Sequence, residues 1–438
     1  MTPPHSPRRG PRRGRGRATA GVAAEPVRLR IEALGAQGDG VARRDGTEYY
    51  VAGTLPGDEV VALPTARRGQ GVAARVVEAL GGAQDHRPPA CAHVGSCGAC
   101  LVQHAPDDLY LAWKTGLVAA ALARRGFRDP PLAPLRTVPP GSRRRAALRG
   151  IRVGGRVRLG FNRRHSDQVV PIDTCPLLTP ALNALLAAAG DLPVVPRRAV
   201  ASDVEGGLDL VLDLADAPDL GLRQKLAAFA GRAGVARLSW RQGGEAPELL
   251  AQLADPVVRI AGVPVVLPPG GFLQPSAEGE ALLTAAVARG LGAARTIADL
   301  FGGIGTFGLA LADRARVQVF EVDVAAVAAL RHAAGRAGLG GRVGADCRDL
   351  DQRPLTAREL EKFDAAVFDP PRAGAAAQAA EMAAAGGLAT VVAVSCNPAT
   401  FARDARTLVD GGFRLRQVTP VDQFPWSAHL EVVGEFVR

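Results

Sequence analysis

The chain has 438 residues, enough for two or three domains, with 47% hydrophobic and 22% charged residues, as in ordinary globular proteins. No run of about 18 apolar residues is free of charge, so we predict no membrane-spanning helix and expect no membrane partner. The net charge of +10 is typical of a protein that binds a polyanion such as RNA. Only three of the 53 basic residues are lysines, so a GC-rich genome is an alternative source of this charge.

Residues 1–24 are rich in Arg, Pro and Gly and contain no acidic residue. They lack the apolar stretch of a secretory signal, and their Pro and Gly argue against an amphipathic targeting helix. We therefore predict a disordered basic tail on a cytoplasmic protein.

Residues 25–84 contain short apolar segments separated by Gly, Pro and Asp. The predicted strands cover residues 27–31, 48–52, 58–63 and 71–77. Regular short strands with such turns are typical of a small OB-like β-barrel, a fold that often binds RNA.

A group of cysteines opens the predicted central domain, residues 85–268. Cys91, Cys97 and Cys100 lie close together, and Cys175 follows further along. Disulfides are not expected in a chain of this length without a secretory signal. Four thiolates suit either a [4Fe–4S] cluster or a structural zinc ion.

The rest of the central domain mixes both kinds of secondary structure. A helix is predicted over residues 106–127, and antiparallel strands with one solvated face over residues 143–175. Residues 176–268 contain helices and strands whose order the sequence does not indicate.

Helices and strands alternate through residues 269–438. The predicted helices cover 278–290 and 324–337, and the predicted strands 296–300, 317–322, 364–368 and 389–396. Such alternation is typical of a parallel sheet covered by helices, so this is an α/β domain.

A glycine-rich turn, Gly302–Gly308, follows the strand that begins at Thr296. Glycines let the backbone turn sharply and approach a cofactor closely. Glu321, at the end of the next strand, suits the ribose hydroxyls of either NAD or S-adenosylmethionine. Asp299 before the turn and the single G-x-G core favour S-adenosylmethionine.

The segment Asp369-Pro-Pro-Arg372 ends another predicted strand. Its two prolines stiffen a loop that holds Asp369 at the sheet edge. Methyltransferases that act on amino groups usually carry an aromatic residue after such prolines. Arg372 at that position therefore disfavours methylation of an exocyclic nitrogen.

The apolar run 389–395 delivers Cys396 to the end of a buried strand, just before Asn397-Pro398. Open α/β sheets bind ligands outside this edge, which favours a catalytic thiol over a buried apolar side chain. A thiolate that adds to carbon 6 of uracil activates carbon 5 for methylation, and a base must then remove the carbon-5 proton. His429 and Glu431, predicted to share one face of the last strand, are the candidate bases.

Together these motifs resemble the RNA uracil-5 methyltransferase family, most closely its 23S rRNA branch. The resemblance runs from about Val27 to the C-terminus and includes a TRAM-like barrel over residues 26–84. Its most specific segment is Ser395-Cys-Asn-Pro-Ala-Thr400, followed by Arg403-Asp404. Further matching segments are Cys91–His104, Asp173–Pro176, Phe272–Pro275 and Phe424–Glu431, whereas Gly302, Asp349 and Trp426 depart from the family pattern.

This resemblance implies a Rossmann-like S-adenosylmethionine-dependent methyltransferase domain over residues 269–438. The TRAM barrel and a central α+β domain with a [4Fe–4S] cluster would precede it. Cys396 is implied as the nucleophile and Glu431 as the base. The implied S-adenosylmethionine contacts are Gln274, Phe301, Thr306, Glu321, Asp349 and Asp369, and the implied cluster ligands are Cys91, Cys97, Cys100 and Cys175.

The expected activity is therefore formation of 5-methyluridine in RNA, with 23S rRNA as the expected substrate of a monomeric enzyme. A tRNA uracil is the alternative substrate. Two other classes remain as alternatives: an NAD-dependent iron–sulfur oxidoreductase, and a non-catalytic RNA-binding assembly factor.

Overall fold

The computed structural model describes residues 25–82 and 86–438, and the chain divides into two compact units, Met1–Asp85 and His86–Arg438. The predicted basic tail, residues 1–24, lies outside the described residues. No described helix has both the length and the apolar character needed to cross a membrane.

The described part of the first unit is a six-stranded sheet with the order β1-β5-β6-β4-β3-β2. β5 buries alternate residues, among them Val60 and Ala62, as a strand with one solvated face should. All four predicted strands are confirmed, and two more are present. The strands are β1 Val27–Arg30, β2 Ala33–Leu34, β3 Gly40–Arg44, β4 Thr47–Val51, β5 Glu59–Arg68 and β6 Gly71–Gly81.

The second unit begins with the cysteine segment and the predicted helix, α1 Asp107–Ala123. A seven-stranded sheet follows, with the order β10-β9-β8-β11-β12-β13-β14. The predicted antiparallel strands after residue 143 are confirmed. This region contains β7 Arg136–Thr137, β8 Arg145–Val153, β9 Arg156–Asn162, β10 Val169–Pro171, α2 Pro180–Ala188, β11 Arg198–Val204, β12 Gly207–Asp213, α3 Leu220–Arg232, β13 Val235–Arg241, β14 Glu248–Gln252, β15 Val257–Ile260 and β16 Val263–Val266.

An eight-stranded sheet dominates the C-terminal part, with the order β19-β18-β17-β20-β21-β23-β22-β7. Its central strands are buried on both faces, since Val392 and Val394 belong to one apolar core and Val391 and Ala393 to the other. The elements are α4 Ala277–Leu291, β17 Thr296–Leu300, α5 Thr306–Ala310, β18 Arg316–Glu321, α6 Val324–Arg336, β19 Val343–Cys347, α7 Ala357–Leu360, β20 Ala365–Phe368, α8 Ala376–Ala384, β21 Thr390–Ser395, α9 Pro398–Asp410, β22 Arg414–Asp422 and β23 Glu431–Val437.

The predicted parallel sheet is confirmed for β17, β18, β20 and β21, and at its C-terminal side the structure adds strands whose direction the sequence did not indicate. β17 to β21 are parallel, but β23 runs antiparallel to both β21 and β22. Residues 423–430, which join β22 to β23, are too few for the crossover that parallel neighbours need. The last strand therefore returns beside β21 in the opposite direction.

Candidate active site

The carboxyl ends of β17, β18, β20 and β21 meet at one edge of the sheet, and the residues that follow them line a cavity of about 600 Å³. Because these strands are parallel, their terminal motifs converge although they are far apart in sequence. Thr306, which begins α5, does not line the cavity. The predicted residues that do are Gln274, Phe301, Glu321, Asp349, Asp369, Cys396 and Glu431.

The register of the antiparallel pair brings the thiol and the carboxylate together. Ser395 of β21 pairs with Val432 of β23. Cys396 directly follows Ser395 and Glu431 directly precedes Val432, so both residues lie at the same end of this strand pair, and both line the cavity. The sequence placed both residues at a sheet edge but gave no indication of this register.

The glycine turn after β17 depends on left-handed backbone conformations. Gly305, at φ +90°, is the residue before α5, and a Cβ atom there would lie 2.5 Å from Leu330. Phe301 also has a positive φ of 63°, which is uncommon for a residue with a bulky side chain. The turn therefore exposes its backbone and the Phe301 side chain toward the cavity.

Two carboxylates are fixed beside this turn by backbone N–H groups. Glu321 accepts hydrogen bonds from the backbone of Gly303 at 3.0 Å and of Asp323 at 2.8 Å. Asp349 accepts from the backbone of Asp351 at 3.0 Å and of Gln352 at 3.1 Å. Each carboxylate keeps free acceptor positions, which suit hydroxyl or amino donors of a nucleoside.

Buried amides connect two carboxyl groups that line the cavity. Gln423 donates to the Gln274 oxygen at 2.8 Å, and Gln274 donates to Asp369 at 3.4 Å. Gln423 also bonds to Glu431. Sequence reasoning missed Gln423, since a glutamine just after β22 has no pattern that marks it.

The pKa values of both carboxyl groups are raised. Burial, and then the charge of Asp369, raise the pKa of Glu431 to about 8. Burial raises the pKa of Asp369 to about 7, although its bond to Gln274 opposes the change. A carboxyl group with a pKa near neutrality is suited to exchange protons during a reaction.

The Cys396 thiol is mainly protonated at neutral pH in this arrangement. Burial raises its pKa to about 11, and the charges of Glu431 and Asp369 add to the effect. The guanidinium group of Arg372 acts in the opposite direction. The backbone carbonyl of Arg372 accepts a 3.1 Å hydrogen bond from the side chain of Asn397, the residue after Cys396.

His429 lies in the loop before β23 and not, as predicted, on a strand face shared with Glu431. Its ring nitrogens are 3.2 Å from the Arg372 guanidinium group. Burial, followed by the charge of Arg372, lowers the pKa of His429 to about 4. The imidazole is therefore neutral at physiological pH, and Arg372 is a donor to it.

The four predicted cluster ligands come together elsewhere in the second unit. Cys91, Cys97, Cys100 and Cys175 line one small pocket, with Phe161 and Ile172 among its apolar walls. Burial raises the pKa of Cys97, Cys175 and Cys100, the last to about 12. Across residues 25–82 and 86–438, no group of three or more His, Cys, Asp or Glu side chains is arranged to hold a single metal ion. The iron–sulfur cluster thus stays a prediction.

Comparison with known proteins shows that the chain is similar to RNA methyltransferases. A family model described as tRNA (Uracil-5-)-methyltransferase matches residues 351–437. A Caulobacter vibrioides protein named "uncharacterized RNA methyltransferase" is 43% identical over 94% of this chain and 99% of its own length. The 23S rRNA (uracil(1939)-C(5))-methyltransferase RlmD of Chromohalobacter salexigens is 35% identical over 98% of this chain and 93% of its own.

A solved structure shares the fold. The tRNA (uracil-54, C5)-methyltransferase of Pyrococcus abyssi, in complex with S-adenosyl-L-homocysteine, aligns with a TM-score of 0.70. The alignment covers 94% of this chain and 100% of that chain, at 21% sequence identity. At this identity the likeness concerns the fold alone.

Proposed function

We propose that this chain, which belongs to the RNA uracil-5 methyltransferase family and is an S-adenosylmethionine-dependent enzyme, forms 5-methyluridine in 23S rRNA through a covalent Cys396 adduct. The observation that carries the covalent route is that Cys396 and Glu431, at the same end of the strand pair β21 and β23, line one cavity. The Chromohalobacter relative, similar along nearly the whole chain, supports 23S rRNA as the substrate. Family membership argues against the oxidoreductase and the non-catalytic alternatives.

In the first step, the Cys396 thiol loses its proton to solvent and its sulfur bonds to carbon 6 of the uracil. The electron pair of the ring double bond moves to oxygen 4, which gives an enolate with a nucleophilic carbon 5. The Arg372 guanidinium group favours the thiolate by its charge. The target base has to leave any stack to reach this cavity, so we expect a flipped nucleotide.

The residues beside the glycine turn would hold the methyl donor. S-adenosylmethionine, when bound, supplies an electrophilic methyl group to carbon 5. Glu321 and Asp349, each fixed by two backbone N–H groups, would accept hydrogen bonds from its nucleoside part. Phe301, Gln274 and Asp369 line the same cavity, whereas Thr306 would act from outside its lining.

Glu431 would complete the reaction as the base. It removes the proton from carbon 5, the electron pair returns to form the carbon 5–carbon 6 double bond, and the bond from carbon 6 to sulfur breaks. A raised pKa makes this carboxylate a stronger base than an exposed one. His429 is less suited, since its lowered pKa and its Arg372 neighbour weaken its basicity.

We also propose that Cys91, Cys97, Cys100 and Cys175 hold a [4Fe–4S] cluster with a structural role. The support is a donor set of four half-buried thiols around one pocket with apolar walls. A cluster spreads its ligands over four irons, which fits thiols that surround a pocket better than a single zinc ion does.

The sheet of residues 25–82 is the proposed TRAM-like RNA-binding unit, and it would act with the basic tail 1–24. The exposed side chains of Arg30, Arg67 and Arg75 supply positive charge on this sheet. We propose three domains: the TRAM-like barrel over residues 25–84, the central domain over 85–268 and the methyltransferase domain over 269–438. The protein would act as a monomer in the cytoplasm.

A tRNA uracil is the second candidate substrate, because the matching family model carries a tRNA name. Mapping 5-methyluridine in total RNA from a deletion strain separates the two. Loss of the base from 23S rRNA alone supports the proposal, and loss from tRNA alone contradicts it.

A further inference from the structure

The loop between β22 and β23, residues 423–430, is held by a lysine from a distant helix. Lys114 of α1 is fully buried, with an exposed fraction of 0%. Its ammonium group donates to the Asp422 carboxylate at 2.7 Å, to the Phe424 carbonyl at 3.2 Å and to the His429 carbonyl. One side chain therefore binds both ends of the loop that leads into Glu431.

A second set of contacts fixes the middle of the same loop. Tyr110, one turn before Lys114, donates to Asp422 and accepts a 2.9 Å hydrogen bond from the backbone N–H of Trp426. The Trp426 carbonyl accepts from the backbone of Leu101 at 2.7 Å and of Val102 at 3.2 Å. Trp426 has a φ of +60°, which is strained for a tryptophan and is maintained only by surrounding contacts.

This network is a costly way to obtain stability alone. Taking an ammonium group and a carboxylate out of water carries a large penalty, and apolar side chains of similar volume often stabilise a core equally well. Buried ionic groups do, however, specify one conformation in some proteins. Here the specified conformation is that of a loop whose Phe424 and His429 side chains line the cavity and which leads directly into Glu431, another lining residue.

We infer that Lys114 and Tyr110 are positioning residues that clasp the loop 423–430 and so set the place of Glu431 relative to Cys396. Neither residue lines the cavity or touches the reacting atoms. The inference rests on the proposed function, because it assigns the clasp to the proton-removal step. Loosening the loop should slow release of the methylated uracil more than formation of the covalent bond.

The test uses the full chain with three variants. Lys114→Met removes the ammonium group, and the pair Lys114→Met with Asp422→Asn avoids an unpaired buried carboxylate. Tyr110→Phe removes one hydroxyl and is the mildest change, so it serves if the lysine variants do not fold. Arg416→Met is the matched control, since Arg416 pairs with the buried Glu435 on the same two strands but away from the loop.

Each protein is mixed with S-adenosylmethionine and labelled RNA, and covalent complex and product are measured over time on denaturing gels. In the clasp variants, the ratio of complex to product should rise on the order of 10- to 100-fold, as small misplacements of a catalytic group produce. The affinity for S-adenosylmethionine should stay unchanged, and so should the ratio in Arg416→Met. Release at the wild-type rate in a folded Tyr110→Phe and a folded lysine variant would overturn the inference.

RNA containing 5-fluorouridine keeps this result separate from the proposed function. The wild-type protein should form a stable complex with it, since carbon 5 then carries no proton for a base to remove. If the wild-type protein forms this complex and the clasp variants release product from ordinary RNA at the normal rate, the role of the clasp is contradicted but the covalent route is not. The lack of any wild-type complex contradicts the covalent route itself.

Discussion

Cys396 and Glu431 lie at the same end of the antiparallel strands β21 and β23, where both line one cavity. A nucleophile and a base thus reach the same cavity from neighbouring strands that run in opposite directions. Cys396 directly follows β21 and Glu431 begins β23, and both strands pack into the apolar cores on the two faces of the sheet.

Replacement of the nucleophile should abolish the reaction and leave binding intact. We expect Cys396→Ala to lose methylation by several orders of magnitude, as removal of a nucleophile commonly does. Methyl transfer from labelled S-adenosylmethionine measures the loss, and filter binding measures RNA affinity. Cys347→Ala is the matched control, because Cys347 is an exposed thiol at the end of β19 that does not line the cavity. Turnover by Cys396→Ala near that of the control would contradict the covalent route.

Individual helices and strands were predictable where the spacing of apolar residues indicated a single type of secondary structure. β17 is confirmed at 296–300, and α4 and α6 differ from their predicted bounds by one residue at most. Strand direction was not predictable in the same way. β22 carries no motif, and the antiparallel return of β23 depends on the length of the connection before it.

The candidate site shows the same limit. The position of Cys396, Glu321 and Asp369 at the sheet edge was predictable, because each lies at the end of a buried strand or directly after it. Gln423 and Lys114 were not, since a glutamine after a strand and a lysine in a helix are usually solvent-exposed. Their importance follows from tertiary contacts with residues that are distant in sequence.

The pH dependence of turnover should follow ionisation of Glu431. Its raised pKa of about 8 means that the carboxylate needed as a base is a minority form at pH 6.5. We therefore expect single-turnover release of product to become faster as pH rises from 6.5 to 8.5. A release rate that falls over this range would point to a protonated group as the essential form.

The contribution of Glu431 to the stability of the folded chain should fall as pH rises, whereas the rate of product release should increase. Glu431 has a pKa of about 8 in the folded chain against an ordinary value of 4.5, so its stabilising contribution is complete below pH 4.5 and is lost as pH rises through 8. Glu431→Gln stays neutral throughout. Its melting temperature relative to wild type should therefore increase between pH 5 and pH 9, and a constant difference in thermal scans would contradict the raised pKa.

Arg372 should control the reactivity of the Cys396 thiol. Its guanidinium group lowers the pKa of a thiol that burial and two carboxylates raise. In Arg372→Gln, the pH profile for alkylation of Cys396 by iodoacetamide should shift upward, as peptide mass spectrometry would show. The Cys347 peptide in the same sample is an internal control, and an unshifted Cys396 profile would remove Arg372 from this role.

The four-cysteine pocket should contain iron. Protein purified without oxygen should be brown and contain about four iron atoms per chain, with broad absorption in the visible range. Cys91→Ser should lower thermal stability of the second unit, since that thiol lines the pocket. Zinc without iron in elemental analysis would refute the cluster.

The covalent route is tested most directly by Glu431→Gln. The amide keeps the shape of the side chain but cannot remove the carbon-5 proton, so this variant should add to uracil, methylate it once and stop. Denaturing gels with labelled RNA and S-adenosylmethionine should then show a protein–RNA complex that persists, and Cys396→Ala in the same chain should eliminate it. Multiple turnovers by Glu431→Gln without a trapped complex would contradict the account and assign the base to another residue.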